Sequence, residues 1–316
     1  MYDEIRTATE SFWNFLSDIA VLPLLAAICC HLLKLACTSR AWRNILAAAY
    51  PDSAVPWLRG ILPAYVSGVG VNAVLPARGG DVVRIYLAHR AIPGSSYTTV
   101  VSSTAVLTFV DMTLATFVFV FALTQGVLPS LDALSRLPAF DYSWAVEDGV
   151  IRPGALIAIV VVVGGGGLLL HHFWRTLRAR VAQAFSVLHP PTRYLRTVAA
   201  WQLADWALRF AAIWFFLGAF GIHESIRNVL LVQAATSLAG LVPATPGGIG
   251  TEQALLVYAF RGADVARSTL LAFSVGMRLT ITVVNVIVGF TAIFLTLGTV
   301  RFRSVVPPRP EAPPPN

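Results

Sequence analysis

Residues 268–299 read STLLAFSVGMRLTITVVNVIVGFTAIFLTLGT, a run of 32 positions with one charged residue, Arg278. At ~1.5 Å per residue such a helix is longer than the ~30 Å hydrocarbon core of a bilayer. The apolar residues are continuous and do not alternate, which excludes a strand of a membrane β-barrel. Further apolar runs stand at 19–37, 97–124, 154–173 and 198–220. Over all 316 residues only 12% are charged, against ~25% in an ordinary soluble domain. The mean hydropathy is +0.71. A disordered chain is excluded, a soluble enzyme is not expected, and the fold class is an all-α polytopic membrane protein.

Two apolar segments are too broken to be plain spans. The first, within 61–90, ends NAVLPARGGDVVRIYL over residues 72–87; the second, within 228–260, carries PATPGGIGTE over 243–252. Leu75-Pro76-Ala77-Arg78-Gly79-Gly80-Asp81 resembles Val242-Pro243-Ala244-Thr245-Pro246-Gly247-Gly248, with Glu252 following. Each sits between two full spans, so 19–124 matches 198–299 in order and size, with 154–173 as the linking span. Interrupted segments at corresponding places in two halves point to a transport site.

Charge sets the sidedness. Loops 38–60, 78–90 and 175–196 are basic, as is the tail with Arg301, Arg303 and Arg309, and these are expected on the cytoplasmic side. Loop 125–153, with Asp132, Asp141, Glu147 and Asp148 against Arg136 and Arg152, is expected outside. The assignments agree if both broken segments re-enter on the side they left. The expected architecture is then an inverted repeat with two re-entrant helical hairpins, five full spans, an outside N-terminus and a cytoplasmic C-terminus. Residues 1–18, with Phe12, Trp13, Phe15 and Leu16, read as an interfacial amphipathic helix. Residues 38–60, with Trp42 and Trp57 among arginines, read as an interfacial connection. The proline-rich tail 301–316 reads as disordered.

The hairpins hold the candidate chemistry. Asp81 suits the positive end of the helix that follows Gly79-Gly80, and Arg78 and Arg84 beside that end make a phosphate site. Asn72 closes the same segment. Pro76, Gly79 and Gly80 in the first hairpin, and Pro243, Pro246, Gly247, Gly248 and Gly250 in the second, are candidate hinges. Irregular backbone at membrane depth is tolerated where it is buried in protein or lines a wet cavity. Asp111, Asp205, Arg209 and Arg278 lie within apolar spans, where each costs at least ~2.5 kcal/mol unless it faces the bundle and pairs. Asp205 and Arg209, four apart, can pair on one helix. Asp111 and Arg278, at matching places in the two halves, are expected to pair across the repeat. No zinc-like ligand spacing, P-loop ending or catalytic constellation occurs, so no metal, no cofactor and no enzymatic activity are expected.

Asn72, Leu75-Pro76, Gly79-Gly80-Asp81 and Arg84, with Pro243, Pro246-Gly247-Gly248-Ile249-Gly250, Glu252, Arg278-Leu279 and Gly289, resemble the lysylphosphatidylglycerol synthase transmembrane family. This flippase-like domain includes the membrane part of multiple peptide resistance factor. Arg40-Ala41-Trp42-Arg43 is similar to its arginine–tryptophan signature, and the resemblance spans about residues 25–300. It implies a multi-pass protein of a bacterial inner membrane that translocates lipids, with lysyl-phosphatidylglycerol the substrate in the fused members. Leu107 and Thr108 replace the family's acidic–arginine pair upstream of Asp111. The aminoacyltransferase domain of the fused members has no counterpart here, so synthesis of lysyl-phosphatidylglycerol is not expected.

The functional expectation is movement of an anionic lipid, phospholipid or polyprenyl-phosphate in type, between leaflets. Asn72, Arg78, Asp81, Arg84, Asp111, Glu252 and Arg278 are the candidate substrate-binding residues, and the partner is a lipid with an anionic headgroup. The alternative is a non-transporting membrane scaffold for a glycosyltransferase or lipid synthase. Nucleic acid is not an expected partner.

Overall fold

The computed structural model describes residues 20–75, 79–124, 146–147, 150–151, 178, 181–188, 190–241, 250–261 and 265–297. The interfacial helix expected over 1–18, the linking span 154–173 and the tail 301–316 lie outside the described residues. So do Pro76, Arg78, Pro243, Pro246, Gly247 and Gly248. The described elements are helical, apart from an antiparallel pairing of Val146–Glu147 with Val150–Ile151.

The first long helix, α1, covers Val21–Ala49. A π-turn at Trp57–Ile61 leads into α2, Leu62–Val74, and α3 follows at Gly79–Ala91. Tyr97–Thr124 form α4. After a 3₁₀ turn at Phe185–Leu188, Pro191–Tyr194 (α5) and a π-turn at Leu195–Ala199 run into α6, Ala200–Ala219. The chain then forms α7, Ile226–Leu241, α8, Thr251–Ala259, and α9, Arg267–Leu297.

Among the described residues three helices have the length and apolar character to cross a membrane: Val21–Ala49, Tyr97–Val118 and Arg267–Leu297. Along α9 the exposed Leu271, Val275, Leu279, Val283, Ile287, Phe290 and Phe294 recur every three or four residues, while Leu270, Phe273, Met277, Gly289 and Ile293 are buried. A helix apolar on both its inner and outer faces belongs in lipid.

One expectation is corrected in α1. Residues 38–49 continue the helix and do not form an interfacial connection. Trp42 is fully buried and donates from Nε1 to Ser103 Oγ at 2.8 Å. Its ring packs in the core instead of marking the membrane surface. Trp57 fits the surface role better: Arg40 stacks on its ring at 5.0 Å.

The helix ends follow from local chemistry. Pro63 in the first turn of α2 costs no hydrogen bond there. Gly221 takes φ +67° after α6, so that Ile222 N–H reaches Leu217 O at 2.9 Å and Gly221 N–H reaches Gly218 O at 3.2 Å, a Schellman close. Gly250, at φ +90°, opens α8 and donates its N–H to Gln253 Oε1 at 2.6 Å.

Packing is organised by two pairings. The antiparallel pair α1 and α6 is tied at one end by Ala20 N–H to Ala219 O at 3.1 Å and at the other by Asn44 Nδ2 to Thr197 O at 2.6 Å. The first hairpin, α2 on α3, lies against α9. There Gly70 and Gly289 let backbones touch: a Cβ on Gly70 would stand 2.7 Å from Gly289 Cα and 2.7 Å from Asn285 O. The second hairpin, α7 on α8, packs against α4, α6 and α9.

A functional site around two helical hairpins

The tip of the first hairpin is built by Asn72. Its Oδ1 accepts the Gly80 N–H at 2.8 Å, and its Nδ2 donates to Asp81 Oδ1 at 3.2 Å. One side chain on α2 thus caps the start of α3, whose first turn also holds the favourable charge of Asp81. Arg84 reaches back to Asp81 at 3.3 Å. Its guanidinium lies 5.3 Å from the Trp42 ring and 5.7 Å from the Tyr65 ring, and its Nε is buried with no partner. Asn72, Asp81 and Arg84 are therefore brought together as expected. Asn72→Ala is expected to lower stability by about 1–2 kcal/mol, the worth of a lost cap. An unchanged melting temperature in detergent would show that the cap does not hold the hairpin.

Gly79 and Gly80, paired as hinges in the sequence, differ in the structure. A Cβ on Gly80 would collide with Gly68 O and stand 2.7 Å from Asn72 N, whereas one on Gly79 would meet only the Leu75 side chain at 3.5 Å.

The expected pair of Asp111 and Arg278 is not formed. Arg278 pairs with Glu252, which is 2% exposed and also accepts from Thr236 Oγ1 at 3.2 Å. Glu252, in the first turn of α8, is simply the nearer anion once the second hairpin folds against α9. Asp111 instead accepts from Trp206 Nε1 at 2.9 Å. Asp205 and Arg209 do pair along α6, at 3.0 Å, and Thr38 donates to the other oxygen of Asp205. Arg209 also stacks on Trp206 at 4.7 Å.

Lys34 and His31 stand outside the sequence-based candidates although both are ionisable residues in an apolar span, the signal that picked out the other intramembrane charges. Lys34 lies within electrostatic reach of Arg209, Asp205 and Asp111. His31 Nε2 is 2.8 Å from Asn285 Oδ1, a polar link between α1 and α9. A charged seam from α1, α4 and α6 thus lies inside the bundle, joined through Tyr65 to Arg84, since Tyr65 is within reach of both Arg84 and Asp205.

Sequence comparison places this arrangement. The model of a family described as "Lysylphosphatidylglycerol synthase TM region" matches residues 5–289. The chain belongs to that family. A "UPF0104 membrane protein" of Methanothermobacter thermautotrophicus is 23% identical over 247 residues, which cover 70% of each chain. No solved structure matches. Membership in the lysylphosphatidylglycerol synthase TM region family, with the apolar helices above, makes the chain a multi-pass integral membrane protein. Among the described residues no group of three His, Cys, Asp or Glu side chains could hold a metal ion.

Proposed function

We propose that this chain is a non-enzymatic transporter that moves an anionic lipid, phospholipid or polyprenyl-phosphate in type, between the leaflets of a membrane. The setting implied by the family is the bacterial inner membrane. The observation that carries the reading is Arg84: a guanidinium lying over both the Trp42 and Tyr65 rings, its Nε without a partner, near the N-terminal end of α3. Guanidinium donors and free helix N–H groups together suit a phosphate. Arg78 precedes the same helix in sequence, and Arg278 in the second hairpin's half supplies a further cation.

The packing supports two halves of inverted orientation around that site. The leading helices α1 and α6 run antiparallel, and the contacts between hairpin and closing span are reciprocal. Each hairpin meets both closing spans: in the first, α2 packs on α9 and α3 on α4; in the second, α7 packs on α4 and α8 on α9. The hairpins would then re-enter from opposite sides.

Reconstitution tests the reading. Vesicles carrying the protein and a fluorescent phosphatidylglycerol or polyprenyl phosphate are expected to redistribute the label between leaflets. Arg84→Lys is expected to slow this about tenfold or more, since one hydrogen bond to a charged group is worth ~1.5–3 kcal/mol and lysine cannot reproduce the stacked fork. Unchanged leaflet distribution for several anionic lipids would refute transport and favour the scaffold for a lipid synthase or glycosyltransferase.

A further inference from the structure

We infer that Asp111 is a proton-binding site through which lipid movement is coupled to a proton gradient; this deepens the transport reading and rests on it. The structure separates two carboxylates that look alike in sequence. Asp205 has both oxygens engaged, Thr38 on one and the Arg209 guanidinium on the other. Asp111, half-buried on α4, has a neutral donor, Trp206, on one oxygen and forms no ion pair among the described residues. Lys34 likewise forms no ion pair among the described residues, although both Asp111 and Asp205 are within its electrostatic reach. An acid and a base left unpaired in an apolar span are retained at a cost and mark proton or ion pathways.

The titratable groups within electrostatic reach of Asp111 come from four helices. They are Lys34 of α1, with His31 one turn away, Tyr65 of α2, Tyr194 of α5, and Asp205 and Arg209 of α6, which also carries the donor Trp206. Two fixed or potential cations, Lys34 and Arg209, oppose binding of a metal cation there. A second observation points the same way. Gln202, 1% exposed and one turn before Asp205, donates to Leu107 O, one turn before Asp111. Its Oε1 is buried with no partner, an acceptor on the same seam that suits a protonated water or a water relay.

The step is a single protonation. The Asp111 carboxylate takes a proton from the aqueous phase on one side, becomes a neutral acid, and returns the proton to water on the other. An anionic headgroup arriving beside Asp111 adds a like charge, which favours the protonated acid. Proton and lipid therefore load together.

The full chain in vesicles, with fluorescent phosphatidylglycerol as probe, tests this with and without a one-unit pH gradient. One-to-one coupling sets roughly a tenfold leaflet ratio, since one pH unit corresponds to a factor of ten in an equilibrium constant. Asp111→Asn, which keeps the Trp206 hydrogen bond, is expected to bring that ratio back to one. A wild-type ratio of one while lipid equilibrates overturns coupling and leaves transport standing, and a variant that responds as wild type overturns the site. Infrared spectroscopy of the same protein decides the site even without lipid movement. A protonated-carboxyl stretch that titrates with pH and is absent from Asp111→Asn supports it, and no such band overturns it.

Discussion

Arg278→Met is expected to destabilise the protein by about 3–5 kcal/mol, the usual cost of stranding one partner of a buried ion pair. The pair is lopsided: the Arg278 side chain is 35% exposed, whereas that of Glu252 is 2% exposed. Removing the arginine leaves a carboxylate that cannot reach water, while removing the carboxylate leaves an arginine that can. Glu252→Gln alone is therefore expected to cost less, about 1–2 kcal/mol. The double variant, Arg278→Met with Glu252→Gln, should recover most of the loss, because an uncharged pair of similar size replaces the charged one. Melting temperatures in detergent read the order directly, and equal values for both single variants would dismiss the asymmetry. If the recovered double variant still fails to move lipid, Arg278 acts on the substrate as well as on Glu252.

Gly80→Ala is expected to prevent the first hairpin from closing, at a cost of about 3 kcal/mol or more, because the methyl group collides with the backbone of Gly68 and Asn72. Gly68 O, Asn72 N and Asn72 Oδ1 all stand within 2.8 Å of the new Cβ. Gly79→Ala provides the control. Its Cβ finds ordinary contact with Leu75, so replacing this glycine gains up to ~1 kcal/mol by restricting the unfolded chain. Opposite shifts in melting temperature for the two adjacent alanines would show that packing, not hinge flexibility, selects Gly80. Equal shifts would reject that account.

Much of the architecture was legible because membrane solvent imposes a simple grammar. Broken apolar segments with proline and glycine marked both hairpins, and the runs at 97–124 and 268–299 became α4 and α9 within one or two residues at either end. Family membership was legible in the same hairpin residues. The end of α1 was not. Arg40, Trp42 and Arg43 have the composition of a membrane surface, and only the arrival of Ser103 and Tyr65 from other helices turns Trp42 into core. Pairing was also illegible at long range. Asp111 and Arg278 match in position along their halves, but a guanidinium pairs with the carboxylate that packing delivers, here Glu252. The local pair of Asp205 and Arg209 was readable because four residues is one helical turn.

The antiparallel seam between α1 and α6 has a consequence for biogenesis. α1 leaves the ribosome first, carrying His31, Lys34 and Thr38 in an apolar stretch, yet the acceptor for Thr38 follows 167 residues later and the partner of His31 follows 254 residues later. At ~5–20 residues per second, translation takes roughly ten seconds to most of a minute to deliver them. For that interval the leading helix holds a lysine that the bilayer does not tolerate alone. Such a helix needs shelter at the insertion machinery until α4 and α6 bring Asp111 and Asp205 within electrostatic reach of that lysine. Release from the translocon, more than hydropathy, then sets when the bundle assembles.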